Sequence, residues 1–371
     1  MLKTIALVTG GGDAPGLNAV IRAVVKTATN EYGLRVLGIE DSFEGCLGAT
    51  NVRELRPEDV RGLLPRGGTI LGTRNRGSFV VREGGRELRP EEVYGAAIEN
   101  LKGMGVDAII AVGGEGTLAI ANEFVRRGFP VVGVPKTIDN DLAATELTFG
   151  FMTALDIATE ALDRLHTTAE SHDRVMVLEV MGRHAGWIAL HCGVSGGADV
   201  ILIPEIPFSM EEVAERVAER ERCGAKFSII VCAEGAKEIE GGEVYASAGD
   251  RQSAPRLGGI SRRVAEEVAR RTGKESRYVV LGHLQRGGSP NAFDRMLATS
   301  FGAAAVHAAV RGDFGKMVAL HSADIVAVPI ELAIKGLKTV PLDAALVRTA
   351  RDLGISFGAA DEAQYHSQQE C

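Results

Sequence analysis

Short apolar runs rich in Val and Ile recur along the chain at 4–9, 34–39, 107–112, 130–134, 174–180, 199–203, 227–233, 276–282 and 317–321. Each has the length of a strand. Between them lie longer segments, at 17–30, 91–103, 117–127, 151–170, 184–192, 209–222, 259–272 and 293–310, whose apolar residues return every three or four positions, as on one face of a helix. Strand and helix patterns in alternation predict an α/β fold with mostly parallel, helix-covered sheets. A long helical pattern from about 148 to 169 begins a second series of strands, and another at 293–310 returns the chain to the first. Two domains are expected, a larger one of 1–147 with 288–330 and a smaller one of 148–287 with 331–371. Residues 235–258, rich in Gly, Ala and Ser, read as an excursion with a small hairpin or loop.

The ends of the apolar runs carry the chemistry. The run at 5–9 leads into Gly10-Gly11-Gly12-Asp13-Ala14-Pro15-Gly16, and the run at 108–112 into Gly113-Gly114-Glu115-Gly116-Thr117. The run at 130–134 leads into Pro135-Lys136-Thr137-Ile138-Asp139-Asn140-Asp141. In open α/β sheets ligands bind beyond the carboxyl ends of strands, so three such ends suggest one site. Glycine allows backbone N–H groups to reach phosphate oxygens, and the helix that follows adds its positive end. The first loop is either such a phosphate cradle or only a tight turn; it completes neither a GxGxxG nor a GxxxxGK[ST] pattern. Glu115 can hold a magnesium ion or cap the next helix. Asp139 can accept a proton from a hydroxyl, Asp141 can orient it or assist a metal, and Lys136 and Thr137 can meet phosphoryl oxygens; an Asx turn is the plainer account of this run.

With 371 residues, 45% of them hydrophobic, the chain is long enough for two cores. A net charge of −8 argues against nucleic acid and anionic membranes as partners, but leaves room for a local cationic pocket. The five cysteines have no metal-ligand spacing and read as mostly buried thiols of a reducing compartment. No signal peptide is evident and no apolar stretch approaches about 18 residues, so a cytoplasmic location is expected.

These motifs, continued in order through Met181-Gly182-Arg183, Ala233-Glu234-Gly235 and Gly282-His283-Leu284-Gln285-Arg286-Gly287-Gly288, resemble the 6-phosphofructokinases over the whole chain. The resemblance implies a phosphofructokinase-like two-domain subunit, in which the larger domain binds the donor and the smaller one fructose 6-phosphate. It implies transfer of a phosphoryl group from ATP to the sugar's 1-hydroxyl, with Mg2+, in a homo-oligomer whose sites are shared across subunits. Asp139 matches the catalytic base, and Thr137 and Arg183 match groups that stabilise the transferring phosphoryl; the magnesium ion is expected near Glu115 and Asp141. Gly11, Gly12, Gly114, Gly116, Thr117 and Lys136 match the donor site. Met181, Gly182, Arg183, Glu234, His283 and Arg286, with Thr137 and Asp139, match sugar-phosphate recognition. Arg174 and Arg277 match arginines that reach the sugar phosphate of a neighbouring subunit.

Gly116 goes with ATP in this family, because an aspartate there would crowd the inner phosphate; Lys136 is found in pyrophosphate-dependent members and in a subset of ATP-dependent ones. ATP is the expected donor and pyrophosphate the alternative. The family's phosphate-facing arginine falls at Asn75 here, which leaves Arg74 or Arg76 to supply the cation. A sugar-phosphate-binding regulator without catalysis, and an NAD-dependent oxidoreductase, are the other classes considered; the latter lacks its complete fingerprint at the first loop.

Overall fold

The computed structural model describes residues 2–74, 77–83, 86–239, 241, 245–247 and 256–359. The chain divides into two compact units, Met1–Thr153 with Arg286–Leu337, and Ala154–Gln285 with Lys338–Cys371.

The first unit is built on a sheet in the order Asp324–Pro329, Lys316–His321, Val131–Thr137, Ala108–Gly113, Thr4–Thr9, Arg35–Ile39, Val52–Leu55, with the short strand Phe149–Gly150 beside Val131–Thr137. Neighbours are parallel except at the two edges, where Asp324–Pro329 and Val52–Leu55 run antiparallel. Thr4–Thr9 and Ala108–Gly113 are buried throughout, as expected of parallel strands covered on both faces. Alternation divides their side chains between two cores. Ile5 and Leu7 meet helices Leu17–Tyr32 and Ala292–Arg311 through Val20, Val24 and Phe301, whereas Ala6 and Val8 join Tyr94, Ile98 and Phe124 of helices Glu91–Gly103 and Glu115–Arg126.

Connectivity opens this sheet at one place. Thr4–Thr9 passes through helix Leu17–Tyr32 to Arg35–Ile39 on one side, and its parallel neighbour Ala108–Gly113 passes through Glu115–Arg126 to Val131–Thr137 on the other. The chain thus reverses direction across the sheet between these two strands, the switch point at which open α/β sheets place their ligands.

The second unit has a four-stranded parallel sheet in the order Val200–Leu202, Ser228–Ala233, Val175–Val180, Ser276–Val280. Helices Met210–Arg222 and Ile260–Thr272 pack on it through Val213, Val217, Val264 and Val268. The edge strands Val52–Leu55 and Asp324–Pro329 and the helix Ala345–Asp352 were not expected from the pattern, since none carries a fully buried apolar run. Within 235–258, the described pieces Tyr245–Ser247 and Arg256–Leu257 pair antiparallel, while 240, 242–244 and 248–255 lie outside the described residues, as do 360–371. Cys46, Cys192 and Cys232 are buried, Cys223 is exposed, and Cys371 falls outside the described residues. Among the described residues no helix is long and apolar enough to cross a membrane.

Candidate functional site

In the first unit the two glycine loops are locked together. Gly10 N–H donates to Val112 O at 2.9 Å. A Cβ on Gly10 would fall 2.7 Å from Thr117 Oγ1, and one on Gly113 would overlap the same threonine, so both positions need glycine for Thr117 to pack beneath the loops. A third segment is stitched on by Thr9 Oγ1 donating to Gly72 O at 2.8 Å, Thr73 Oγ1 to Gly11 O at 2.5 Å and Gly11 N–H to Arg74 O at 3.3 Å. The Arg74 guanidinium pairs with Asp41 at 2.9 Å. Arg76 lies outside the described residues.

Two cations flank the first loop. Lys136 is 3% exposed and its ammonium donates to Gly12 O. Arg286 donates from Nη1 to Asp13 O at 3.1 Å, and a Cβ on Gly12 would come within 2.8 Å of that nitrogen. Arg286, expected with the sugar phosphate, thus belongs to the same unit as the first glycine loop and contacts it directly.

Val131–Thr137 delivers the acids. Asp139 N–H donates to Thr137 Oγ1 at 3.1 Å. Asn140 takes a left-handed φ of 51° and accepts from Thr148 N–H at 3.2 Å, while Thr148 Oγ1 donates to Thr137 O at 2.7 Å. Asp139 Oδ1 is buried without a hydrogen-bond partner among the described residues. An orphaned buried carboxylate oxygen is costly, and such groups concentrate where they serve chemistry. Burial, and then the neighbouring Asp141, push the Asp139 carboxyl up to about 6, against the pull of Arg286 and Lys136. Burial and Arg286 push Lys136 down to about 8, opposed by Asp13, Asp139 and Asp141.

Glu115 begins helix Glu115–Arg126, yet no side chain caps that helix and Glu115 is exposed. Its charge still lies in the first turn, where an acid favours the helix, so both readings of Glu115 stand. A Cβ on Gly116 would meet nothing within 4 Å. No group of three or more His, Cys, Asp or Glu among the described residues could hold a metal ion.

In the second unit the carboxyl ends of three strands bring Met181, Gly182, Arg183, Glu234 and the His283 turn together. Glu234 N–H donates to Val180 O at 2.9 Å, Gly235 N–H to Gly182 O at 3.2 Å and Leu281 N–H to Glu179 O at 3.0 Å. Arg183 and His283 are exposed. Arg174 and Arg277 lie elsewhere, at the amino ends of Val175–Val180 and Ser276–Val280, where both pair with Glu275 at 2.9 and 2.5 Å. A six-residue strand spans about 20 Å, so within one unit these arginines do not join the Arg183 loop.

The residues that motif reading missed act on backbone groups. Asn18 is fully buried, donates to Arg66 O and Gly67 O at 3.1 and 3.0 Å and accepts from Ile70 N–H at 2.9 Å, bracing the segment that carries Arg74. Gln285 accepts from Met181 N–H at 2.7 Å. Asn18 follows the first glycine loop by two residues and Gln285 sits inside the Gly282–Gly288 motif, which was the available signal.

Glycine loops at a switch point, beside an acid with one buried oxygen and two cations, are the setting in which α/β proteins handle phosphate. Residues 4–309 match the family model described as phosphofructokinase. The chain is 59% identical to the ATP-dependent 6-phosphofructokinase of Chloroflexus aurantiacus, over 96% of its own length and 98% of that relative. It is 51% identical to the pyrophosphate–fructose 6-phosphate 1-phosphotransferase of Streptomyces coelicolor, over 95% and 99%. The crystal structure of Pichia pastoris phosphofructokinase in the T-state superposes with a TM-score of 0.78 at 32% identity, covering 99% of this chain and 39% of that one. The chain belongs to the phosphofructokinase family.

Proposed function

We propose that this protein is an ATP-dependent 6-phosphofructokinase that transfers the γ-phosphoryl group of ATP to the 1-hydroxyl of fructose 6-phosphate, giving fructose 1,6-bisphosphate and ADP in glycolysis. The observation that carries this reading is Asp139, half-buried, with one buried and unpartnered carboxylate oxygen and a raised pKa, set beside Lys136 and Arg286 at a glycine loop. Asp139 takes the sugar hydroxyl's proton as that oxygen attacks in line. Lys136, Arg286, Thr137 and the loop N–H groups stabilise the charge spread over the transferring phosphoryl. Met181, Gly182, Arg183, Glu234 and His283 recognise fructose 6-phosphate. Arg174 and Arg277, remote from that loop in their own unit, serve the site of a neighbouring subunit in a homo-oligomer. These soluble metabolites imply work in the cytoplasm.

Two carboxylates, Glu115 and Asp141, suit Mg2+, a hard cation that takes one or two protein acids and completes its shell with phosphates and water. With no larger acid cluster among the described residues, the ion would be held jointly with the donor, whose charge it neutralises.

Open space at Gly116 and the 59% identity to an ATP-dependent relative support ATP. Lys136 and the 51% identity to a pyrophosphate-dependent relative favour the second reading, pyrophosphate as donor. Turnover of fructose 6-phosphate measured with magnesium ATP and magnesium pyrophosphate in parallel is expected to be robust with ATP; activity with pyrophosphate alone overturns the donor assignment.

A further inference from the structure

We propose that Glu205 and Gln285 are positioning residues that hold the two ends of the Met181–Gly186 loop and thereby aim Arg183 at the sugar phosphate; this rests on the reading that the loop recognises that substrate.

Arg183 is exposed, so its placement must come from the backbone beneath it. At the head of the loop Met181 N–H donates to Gln285 Oε1 at 2.7 Å; Gln285 is fully buried, and its Nε2 donates to Ala154 O at 3.4 Å. At the tail Gly186 N–H is shared between the two oxygens of Glu205 at 3.0 and 3.1 Å. Glu205 Oε1 also accepts from Val340 N–H at 2.8 Å, and Trp187 Nε1 donates to Lys338 O at 2.8 Å, so the returning chain is tied to the same point. Between the two ends, a Cβ on Gly235 would overlap Arg183 O, and Gly186 would need to clear Ile203.

The Glu205 carboxylate accepts from the N–H groups of Gly186 and Val340 and feels the Lys237 charge, next to the start of helix Trp187–Ser195. Burial raises its pKa, opposed first by the bonds from Val340 and Gly186. An amide in its place would turn an NH2 group toward those donors, or keep a single acceptor for two N–H groups. Small displacements of a positioning loop can cost up to about 100-fold in rate.

The test is steady-state kinetics on the full chain with fructose 6-phosphate and ATP. In Glu205→Gln the KM for fructose 6-phosphate is expected to rise about tenfold, with the KM for ATP within about twofold of the parent. In an Arg183→Ala background the same substitution should add less than about twofold, because a residue acting through Arg183 loses its lever when Arg183 is gone. An unchanged KM for the sugar phosphate in Glu205→Gln overturns the proposal, and so does a tenfold effect that persists without Arg183. If Arg183→Ala alone leaves that KM unchanged, the underlying reading of the loop is what has failed. Should Glu205→Gln not fold, Gln285→Met in the same cycle decides by the same criteria.

Discussion

The turn at Asp139 and the loop at Arg183 solve opposite problems with the same sequence device, a polar run at the end of a buried strand. In the first unit two charged groups of the site are covered: Lys136 is almost wholly buried, and Asp139 keeps one buried oxygen with no partner among the described residues. In the second, Arg183 and His283 are left in the open, and the backbone beneath Arg183 is braced by a buried Gln285 and a half-buried Glu205. Proton transfer needs a carboxyl whose affinity for a proton has been raised, which water would undo. Recognition of a phosphate dianion needs a full cationic charge in reach of solvent, with its direction fixed from below.

The comparison breaks most visibly at Asp139. Asp139→Asn keeps the shape and removes the base, and kcat is expected to fall about 1,000-fold with substrate KM values changed only a few-fold. The sign of the stability change is opposite. A carboxyl held above its unfolded pKa contributes stability fully present at low pH and lost as pH rises through about 6, so at pH 7.5 the wild type carries the cost of burying the ionised form. The thermal midpoint of Asp139→Asn at that pH is therefore expected to equal or exceed that of the parent. Near-normal kcat in the folded variant rejects Asp139 as the base.

Glycine positions sharpen the contrast between a residue needed by the fold and one needed by the ligand. Gly12→Ala would press on the Arg286 guanidinium, but Gly116→Asp meets open space. Gly116→Asp should therefore keep the parental melting temperature while kcat/KM for ATP drops about 100-fold, as a carboxylate opposes the donor's polyphosphate. Unaltered ATP kinetics in that variant would remove the steric argument for the donor.

How much of this was legible follows from what each residue touches. The strands at 4–9 and 108–113 announce themselves because both faces are buried and every position is apolar or small, whereas Val52-Arg53-Glu54-Leu55 pairs at an edge and shows no run. The glycine loops were readable from local spacing. Asn18, Glu205 and Gln285 were not singled out, since Asn18 acts on backbone groups 48 or more residues away, Glu205 on groups 19 and 135 residues away and Gln285 on one 104 residues away, and hydrogen bonds at such separations leave no local pattern. The burial of Lys136 was also illegible, because its cover comes from the first loop folding over it.

A milder break is by titration. The buried pair sets a bell for kcat/KM of the free enzyme, rising as Asp139 loses its proton near pH 6 and falling as Lys136 loses its charge near pH 8. Each limb should fall about tenfold per pH unit beyond those values. Measured from pH 5 to 9.5 at constant ionic strength, a profile flat above pH 8 dismisses the Lys136 charge as a participant.

The smallest effect concerns the arginines that lie away from the Arg183 loop. Arg277 is 58% exposed, and Glu275, which it shares with Arg174, is held below the usual carboxylate range first by the hydrogen bond from Arg174. Removing Arg277 leaves that pair intact, and an exposed ion pair contributes little to stability, so Arg277→Ala should fold as the parent does. Its KM for fructose 6-phosphate should nonetheless rise about fivefold if it completes a site in a neighbouring subunit. Mixing offers the sharper readout. When Arg277→Ala subunits are reassembled with Arg183→Ala subunits, some hybrid sites receive an intact arginine from each partner, and sugar-phosphate affinity should return in part, which a simple surface ion pair cannot produce. No recovery on mixing, together with an unchanged KM in Arg277→Ala alone, returns this arginine to the role of a solvated edge cation and leaves the Arg183 loop to bind its substrate without it.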